Sequence, residues 1–430
     1  MKQENKSLNK SMEESMISVD TEQKLSHAIN LLEKVAATIN LNAIAGTVKA
    51  CGEHLGLLKI CLKAANERDP NNHAKHASLI VEHVKSKNQK SGQNADIDSD
   101  LATNALETRY DCYAVALDCL DSVFKTIEKT TNNGVQGSNY DTVLTRKVEN
   151  LWRFCLESKD QLWHYSLYDY LNNNLIHRSR LTRLDTPFIQ NWFDYAAQEA
   201  PETNALLYAE WLESAERYSD ASKILYKLAT LDSANSPACV QSTYSDPNSA
   251  NPNNNKITFD LSYRIQLLSK SLADAKASSD SELVAEVNDR LDVAELQQTV
   301  LKLLKHKIQS SADNENLEDY EQGILHAESK LISLSQLYRA YGELLNMPEV
   351  QLLVLHCAGQ GDGDVIDHLW RVTIDGCLQD EKGAYKYDLN DSELCVPALK
   401  EKVLFLTRTF LTSRSSAQNL ESLQHSNKYI

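Results

Sequence analysis

Glycine and proline are scarce in this chain, which contains 13 glycines and 8 prolines in 430 residues. These counts correspond to roughly 3% and 2%, against about 7% and 5% in average proteins. A protein built mainly from β-strands needs many tight turns, which these two residue types favour. The shortage therefore argues against a β-rich fold and favours helices.

A surplus of basic residues is also missing, because 44 Lys and Arg stand against 60 Asp and Glu, a formal net charge of −16. Nucleic-acid-binding proteins present basic surfaces to the phosphates, so we expect no direct nucleic-acid partner. No apolar run approaches the ~20 residues that a membrane-spanning helix requires. We therefore expect no membrane insertion by this segment.

Paired cysteines of the CxxC type are absent, although the chain contains nine cysteines. The odd number, the scattered positions and the polar stretch from Met1 to Val19, which lacks a signal peptide, are typical of reduced thiols inside a cell. Cys112 and Cys119 would lie about 10 Å apart on a helix, too far for a disulfide. We expect them to be buried or half-buried structural thiols.

What the sequence does contain is helical periodicity. The clearest stripe has apolar residues three or four positions apart, which predicts an amphipathic helix. Its members are Leu106, Tyr110, Tyr113, Leu117, Leu120, Phe124 and Ile127. Residues 201–231 place small and large apolar residues as paired solenoid helices do, and predict a helical hairpin. No fixed repeat period runs through the chain.

Helix boundaries are indicated by capping residues and polar breaks. Thr186–Pro187 predicts an N-cap followed by proline at the first helical position. Ser279–Glu282 has the spacing of a capping box. A polar break at Ser310–Asn316 separates two apolar stripes, Leu283–Ile308 and Ile324–Leu345, which predict two long antiparallel helices.

These patterns predict an all-α fold, an elongated α-solenoid of stacked helical hairpins with no significant β-sheet. We expect six segments along the chain. They are a disordered N-terminus at 1–19, an N-terminal helical segment at 20–131 with a linker near 85–100, helical hairpins with an aromatic cluster at 140–231, a disordered insertion at 232–256, a C-terminal helical stack at 257–412 and a frayed tail at 413–430.

Two clusters invite a metal or phosphate interpretation, and both fall short of a known motif. His73, His76 and His83 would share one helical face, yet no acidic residue completes a zinc motif such as HExxH. The glycine-rich run Gly359–Asp364 follows no strand and lacks the Gly-Lys-Ser/Thr of a phosphate loop. We interpret it as an interhelical turn in which Asp364 caps the next helix, and we expect no metal and no cofactor.

The neighbours His356 and Cys357 could be imagined as a base and a nucleophile. Adjacent residues on a helix point in different directions, and no third residue is identifiable that would orient the base. We therefore predict no catalytic residues, no small-molecule substrate and no enzymatic activity.

Aromatic residues form a cluster from Trp192 to Tyr218, and three more lie between Tyr338 and Trp370. Packing between helices is the favoured interpretation, and a groove that receives a short linear segment of another protein is the functional alternative. The candidate partner-binding residues are Trp192, Tyr195, Tyr208, Trp211, Tyr218, Tyr338, Tyr341 and Trp370.

Three stretches resemble the C-terminal solenoid of the large inner-ring scaffold nucleoporins, a non-repetitive family. They are LWHYSLYDYL at Leu162–Leu171, LLYAEWLESAERYSDASKILYKLATL at Leu206–Leu231, and ISLSQLYRAYGELLNMPEVQLLVLHCAGQGDGDVIDHLW at Ile332–Trp370. A fourth stretch, at Ile257–Ser278, is similar to the family's helix after the hairpin. The resemblance covers roughly Leu151–Trp370, whereas the family's N-terminal β-propeller is absent from this sequence.

The resemblance implies a structural scaffold in the inner ring of the nuclear pore complex, at the nuclear envelope of the nucleus, supporting pore assembly and nucleocytoplasmic transport of protein and mRNA. It implies other nucleoporins as partners, both inner-ring scaffold proteins and flexible linker nucleoporins. Composition alone leaves two alternatives open. One is a helical adaptor or coat-type scaffold outside the pore, and the other is a metal-dependent enzyme that uses His73, His76 and His83.

Overall fold

Helices form all of the regular secondary structure in the residues that the computed structural model describes. Those residues are 23–78, 99–132, 139–231, 260–310, 317–378 and 397–412. The all-α prediction is confirmed for them, and no helix in these ranges is both long and apolar enough to cross a bilayer. The predicted N-terminus at 1–19, the insertion at 232–256, the tail at 413–430 and most of the linker near 85–100 lie outside the described residues.

The chain divides into two compact units, Met1–Glu199 and Ala200–Ile430. The division falls inside the predicted 140–231 segment, and the six predicted segments stay a prediction. Unit 1 contains helices α1 (23–34), α2 (Leu41–Ala50), α3 (His54–Arg68), α4 (Ala74–Ala77), α5 (Ser99–Asn132), α6 (Asn139–Leu156), α7 (Gln161–Asn173) and α8 (Ile189–Glu199), with a 3₁₀ turn at Arg178–Arg183.

Helix α5 forms the centre of unit 1 and packs against α3, α4 and α7. Its existence was predicted, but the predicted stripe is only partly the buried face. Tyr113, Leu120 and Phe124 are buried, whereas Tyr110 is 42% exposed and Leu117 is half-buried. Cys112 and Cys119 are fully buried on this face, which confirms the prediction of structural thiols. Small thiols suit this face because α3 approaches it closely.

Arg109 on α5 joins the starts of two other helices in unit 1. The side chain of Asp69 accepts hydrogen bonds from the amides of His73 (2.8 Å) and Ala74 (3.1 Å) at α4. Asp160 accepts one from the Leu162 amide (3.2 Å) and so caps α7. The Arg109 guanidinium donates to both carboxylates, at 2.9 Å and 3.2 Å. A buried cation is thus balanced by two buried capping anions, as burial of charge requires.

Unit 2 continues as antiparallel helices. They are α9 (Pro201–Ser214), α10 (Tyr218–Thr230), α11 (Leu261–Ala277), α12 (Ser281–Ser310), α13 (Leu317–Ser329), α14 (Leu334–Leu337, continued by a π-helical turn at Tyr338–Glu343), α15 (Pro348–Cys357), α16 (Gly363–Leu378) and α17 (Pro397–Thr412). Helices α9 and α10 confirm the predicted hairpin, and α10 packs closely on α11. Ser222 and Ser271, both fully buried, each donate to the other's carbonyl, at 2.8 Å and 2.9 Å.

The predicted long helix over Ile324–Leu345 is wrong, because the chain breaks between α13 and α14. Gln297 of α12 donates to the carbonyls of Ala327 (2.6 Å) and Lys330 (2.7 Å) and accepts from the Ile332 amide (2.9 Å). Ser333 then begins α14 with a capping box that includes Gln336. Buried side chains thus satisfy backbone groups that a continuous helix would have satisfied itself.

Three predicted caps are displaced by one or two residues. The Thr186 hydroxyl contacts Tyr168 instead of capping a helix, and α8 begins at Ile189. The cap of α12 is Asp280, which accepts from the Leu283 amide, rather than Ser279. Before α16, Asp362 accepts from the amide of Asp364 (3.3 Å), so Asp362 takes the role predicted for Asp364. Asp and Ser are both strong N-caps, and local spacing alone does not choose between neighbours.

Candidate protein-binding groove

An open groove of about 870 Å³ lies in unit 1 between α5 and α7. We call it the α5–α7 groove. Each helix contributes a stripe with spacing i, i+3, i+4, i+7, which places four side chains on one face. The stripe of α5 is Tyr110, Tyr113, Ala114 and Leu117, that of α7 is Ser166, Asp169, Tyr170 and Asn173, and Asn174, Leu175 and Ile176 close one end.

The floor of the groove is Tyr113, which is 1% exposed. Its hydroxyl donates to Asp160 and lies beside the Arg109 guanidinium. Burial and the neighbouring Asp160 carboxylate raise the pKa of Tyr113, so it stays a neutral donor. The buried charge network therefore holds the floor in one position.

The end of the groove presents two consecutive apolar side chains to solvent. Leu175 is 56% exposed and Ile176 is 66% exposed. The Asn174 side chain accepts from the Ile176 amide (3.2 Å), and the Asn174 carbonyl accepts from the amides of His177 and Arg178. These bonds form an Asx turn, so Leu175 and Ile176 are held outwards by an ordered backbone.

Asp169 supplies the negative charge of the groove wall. Its Oδ1 accepts a hydrogen bond from Trp192 Nε1 at 2.8 Å. Burial raises the pKa of Asp169, an effect that the Trp192 N–H partly offsets. The same carboxylate contributes to the raised pKa of Tyr110, whose main cause is burial. No described residue forms an ion pair with Asp169, so its charge is available to a ligand.

The structure places the eight predicted partner-binding aromatics in two classes. Trp192, Tyr208, Trp211 and Tyr341 are buried, with exposures of 1%, 5%, 8% and 1%. Tyr195, Tyr218, Tyr338 and Trp370 are half-buried. For the buried four, packing between helices is the account that the structure supports. Partner contact through this set stays a prediction, and only the half-buried four present surface for it.

Sequence reasoning missed the groove itself. Its stripe on α7 lies inside the predicted helix Leu162–Leu171, but Asp169 and the exposed pair Leu175–Ile176 were not singled out. The sequence did offer one signal: the apolar pair Leu175–Ile176 directly follows three asparagines, which favour turns. Apolar residues in a turn at the surface are exposed, and exposed apolar surface marks binding sites. Tyr110 and Leu117 were assigned to the core stripe although they line this surface.

Among the described residues, the histidines and the cysteine considered above for metal binding or catalysis do not lie in the α5–α7 groove. His73 and His76 flank or lie in α4, a single turn, and His83 lies outside the described residues. No group of three or more His, Cys, Asp or Glu in the described ranges is placed to hold a metal ion. Burial raises the pKa of Cys357 to about 11, which disfavours the thiolate that a nucleophile requires.

Comparison with known families gives a match along nearly the whole chain. Residues 2–425 match the model of the family described as non-repetitive/WGA-negative nucleoporin, C-terminal. The proteins of a nucleoporin family belong to the nuclear pore complex at the nuclear envelope.

Two curated yeast proteins are similar over large parts of this chain. A probable nucleoporin of Schizosaccharomyces pombe is 22% identical over 369 residues, which cover 83% of this chain and 24% of that protein. Nucleoporin NUP170 of Saccharomyces cerevisiae is 23% identical over 290 residues, 64% of this chain and 17% of that protein. The chain thus matches about a quarter or less of the length of these relatives.

Solved structures of the Chaetomium thermophilum Nup170 C-terminal domain share the fold. The domain in complex with Nup145N has a TM-score of 0.65 at 17% identity, covering 94% of this chain and 71% of that chain. Another structure of the domain has a TM-score of 0.62, also at 17% identity, covering 94% and 68%. The fold is therefore that of a helical solenoid.

Proposed function

Because the chain belongs to the non-repetitive/WGA-negative nucleoporin C-terminal family, we propose that it is a structural scaffold segment of the nuclear pore inner ring. In this role it supports pore assembly, and through it nucleocytoplasmic transport, by protein–protein contacts. The proposal assigns it no catalytic residue, cofactor or small-molecule substrate. The roles of the full-length relatives enter only as part of this proposal, since the chain spans a fraction of their length.

The observation that carries the proposal is a stack of helices with an ordered, open groove. Buried side chains fix the helix ends in both units, Arg109 in unit 1 and Gln297 in unit 2. Such a stack presents the same surface in every copy, which is what a scaffold requires. The α5–α7 groove adds exposed apolar surface of the kind that marks protein-binding sites.

We propose other nucleoporins as the partners, both inner-ring scaffold proteins and flexible linker nucleoporins. The similar Chaetomium thermophilum domain was solved in complex with Nup145N, which makes a nucleoporin the first partner to test. The net charge of −16 favours protein partners over nucleic acid, because phosphate contacts need a basic surface.

The test is affinity purification of the tagged chain from its own cells, with mass spectrometry of the partners recovered in stoichiometric amounts. We expect inner-ring and linker nucleoporins, together with a nuclear-rim signal for the tagged chain. The control is the same tag on an unrelated helical protein of similar size and charge. A reproducible set of vesicle-coat or adaptor proteins without nucleoporins would overturn the proposal in favour of a scaffold outside the pore.

A further inference from the structure

The α5–α7 groove combines features that together specify a ligand. Its two stripes each extend seven residues, about 10 Å along the helices. That length accommodates about three residues of an extended chain at ~3.3 Å per residue. The groove therefore suits a short segment rather than a folded domain.

The apolar part of the groove favours a segment that carries an apolar side chain. Tyr110, Leu175 and Ile176 remain 42% to 66% exposed, and Tyr113 forms an ordered floor beneath them. An apolar side chain seated here would remove the surface of these residues from water, the main source of affinity in such contacts. Ala114 and Ser166 are small, so they leave space between the two helices.

The negative charge of Asp169 favours a segment that also carries a basic side chain. Asp169 is held by Trp192, lies near Tyr110, and has no ion-pair partner among the described residues. A lysine or arginine on the segment would supply that partner, and the phenol rings of Tyr110 and Tyr170 could flank the cation. A second copy of this chain is disfavoured as the occupant, because each copy carries a net charge of −16.

We propose that the α5–α7 groove binds a short segment of another protein in which an apolar side chain stands next to a lysine or arginine. The inference rests on the proposed scaffold function only in that the chain binds other proteins. It locates one binding site in unit 1 and states the chemistry that the site recognises.

The test uses a displayed library of random peptides of about twelve residues, selected against the whole purified chain and counted by sequencing. We expect the enriched peptides to share an apolar residue adjacent to Lys or Arg. Enrichment of acidic peptides, or of peptides with no shared pattern, would overturn the proposal.

Two variants separate the two elements of recognition. Ile176→Asn removes the exposed apolar side chain without adding charge and should weaken binding of a selected peptide about tenfold. Asp169→Asn keeps an oxygen for the Trp192 N–H and removes only the charge, so it should weaken binding about three- to fivefold and reduce its salt dependence. The matched control is Leu344→Asn, since Leu344 is 81% exposed in unit 2, and it should leave affinity unchanged.

The outcomes also separate this proposal from the scaffold proposal. If both groove variants bind the selected peptides like the parent chain, the groove assignment is overturned. If the parent chain recovers nucleoporins from cells and both groove variants recover them equally, the scaffold proposal stands and the groove proposal falls. If groove-dependent peptides are selected but no nucleoporin is recovered, the reverse holds. Circular dichroism of each variant confirms that it is folded before affinity is measured.

Discussion

The two units each contain a fully buried arginine, and the described partners of the two arginines differ in kind. Arg109 of unit 1 contacts two buried carboxylates, those of Asp69 and Asp160. Arg264 of unit 2 donates instead to the carbonyls of Ala229 (2.6 Å), Leu231 (2.7 Å) and Ser329 (3.2 Å). Both are 1% exposed, so among the described residues the two arginines differ in the kind of partner and not in burial.

The difference shows two ways of fixing where helices end. In unit 1, anions cap the starts of α4 and α7, and the buried cation balances them. In unit 2, the guanidinium satisfies carbonyls at the ends of α10 and α13, where the helix dipole favours positive charge. The first arrangement depends on charge balance, because burial would lower the pKa of Arg109 but Tyr113, Asp160 and Asp69 outweigh it and raise it. In the second arrangement, the described contacts are hydrogen bonds to carbonyls.

The largest expected effect is that of Arg109→Met. The substitution leaves two buried carboxylates without their cation, which should lower the free energy of unfolding of unit 1 by about 3–5 kcal/mol. Hydrogen exchange of the α3 and α5 amides measures this locally. The control is Arg153→Met on the exposed surface of α6, where the side chain is 68% exposed and the expected change is within about 0.5 kcal/mol. A loss below 1 kcal/mol at Arg109 would mean that charge balance is unimportant there.

Arg264→Met should have a smaller effect, about 2–3 kcal/mol on unit 2, because the contacts it removes among the described residues are hydrogen bonds to carbonyls. Faster exchange should concentrate at the end of α10 and at the α13–α14 break, where the carbonyls lie. Equal losses for Arg264→Met and Arg109→Met, measured in the same buffer, would remove the distinction drawn between the two units.

Asp274 extends the comparison of buried charges in the two units. Asp69 and Asp160 of unit 1 lie beside a cation, whereas Asp274 of unit 2 lies beside another acid, Glu213. Burial, and next the neighbouring Glu213, raise its pKa from 3.8 to about 6, while Lys270 lowers it. The folded state therefore binds this proton more tightly than the unfolded state, so stability falls as pH rises from about 4 to 6 and stays lower above that.

Asp274→Asn should remove this pH dependence and stabilise unit 2 above pH 6 by about 1 kcal/mol, after allowing for solvent screening. Urea unfolding between pH 4 and pH 8 measures the effect. The control Asp220→Asn alters a carboxylate that is 46% exposed and paired with Arg217, and it should not reproduce the gain at high pH. A variant that keeps the parent's pH dependence would show that Asp274 is not its source.

The smallest expected effect is that of Ser333→Ala, which removes the capping box of α14. Loss of an N-cap costs about 1 kcal/mol, and here it should appear as faster exchange of the first α14 amides only. If Ser333→Ala destabilises all of unit 2 as much as Arg264→Met does, the cap, rather than the buried contacts of Arg264 and Gln297, determines the break.

Much of the fold could be predicted because helical periodicity is a local property. The hairpin of α9 and α10 and the helix α5 followed from apolar residues three and four positions apart. The predicted caps were less accurate, as Asp280 and Asp362 show, since several polar neighbours compete for one role. The break between α13 and α14 could not be predicted, because it depends on Gln297 and Arg264, which are distant in the sequence.

The α5–α7 groove is a second feature that the sequence could not predict, for the same reason. Helix α5 carries two adjoining apolar faces, and the sequence offers no reason to bury Cys112 and Cys119 more deeply than Tyr110 and Leu117. Cys112 and Cys119 are buried because α3 packs on their face of α5. Tyr110 remains at the surface, where it lines the groove together with the exposed Leu175 and Ile176. Asp169 is part of the proposed binding site only because the fold places Trp192 and Tyr110 next to it. Neither neighbour could be identified from the sequence around Asp169.

The sequence by itself determined that this protein is helical, that its helices pair, and that it carries a net negative charge. These properties follow from composition and from contacts between residues a few positions apart. Tertiary structure alone decided which face of α5 is buried, where the long C-terminal helix breaks, and that an acid stands at the wall of an apolar groove. Each of these depends on burial and hydrogen bonds between residues that are distant along the chain, which no local pattern records.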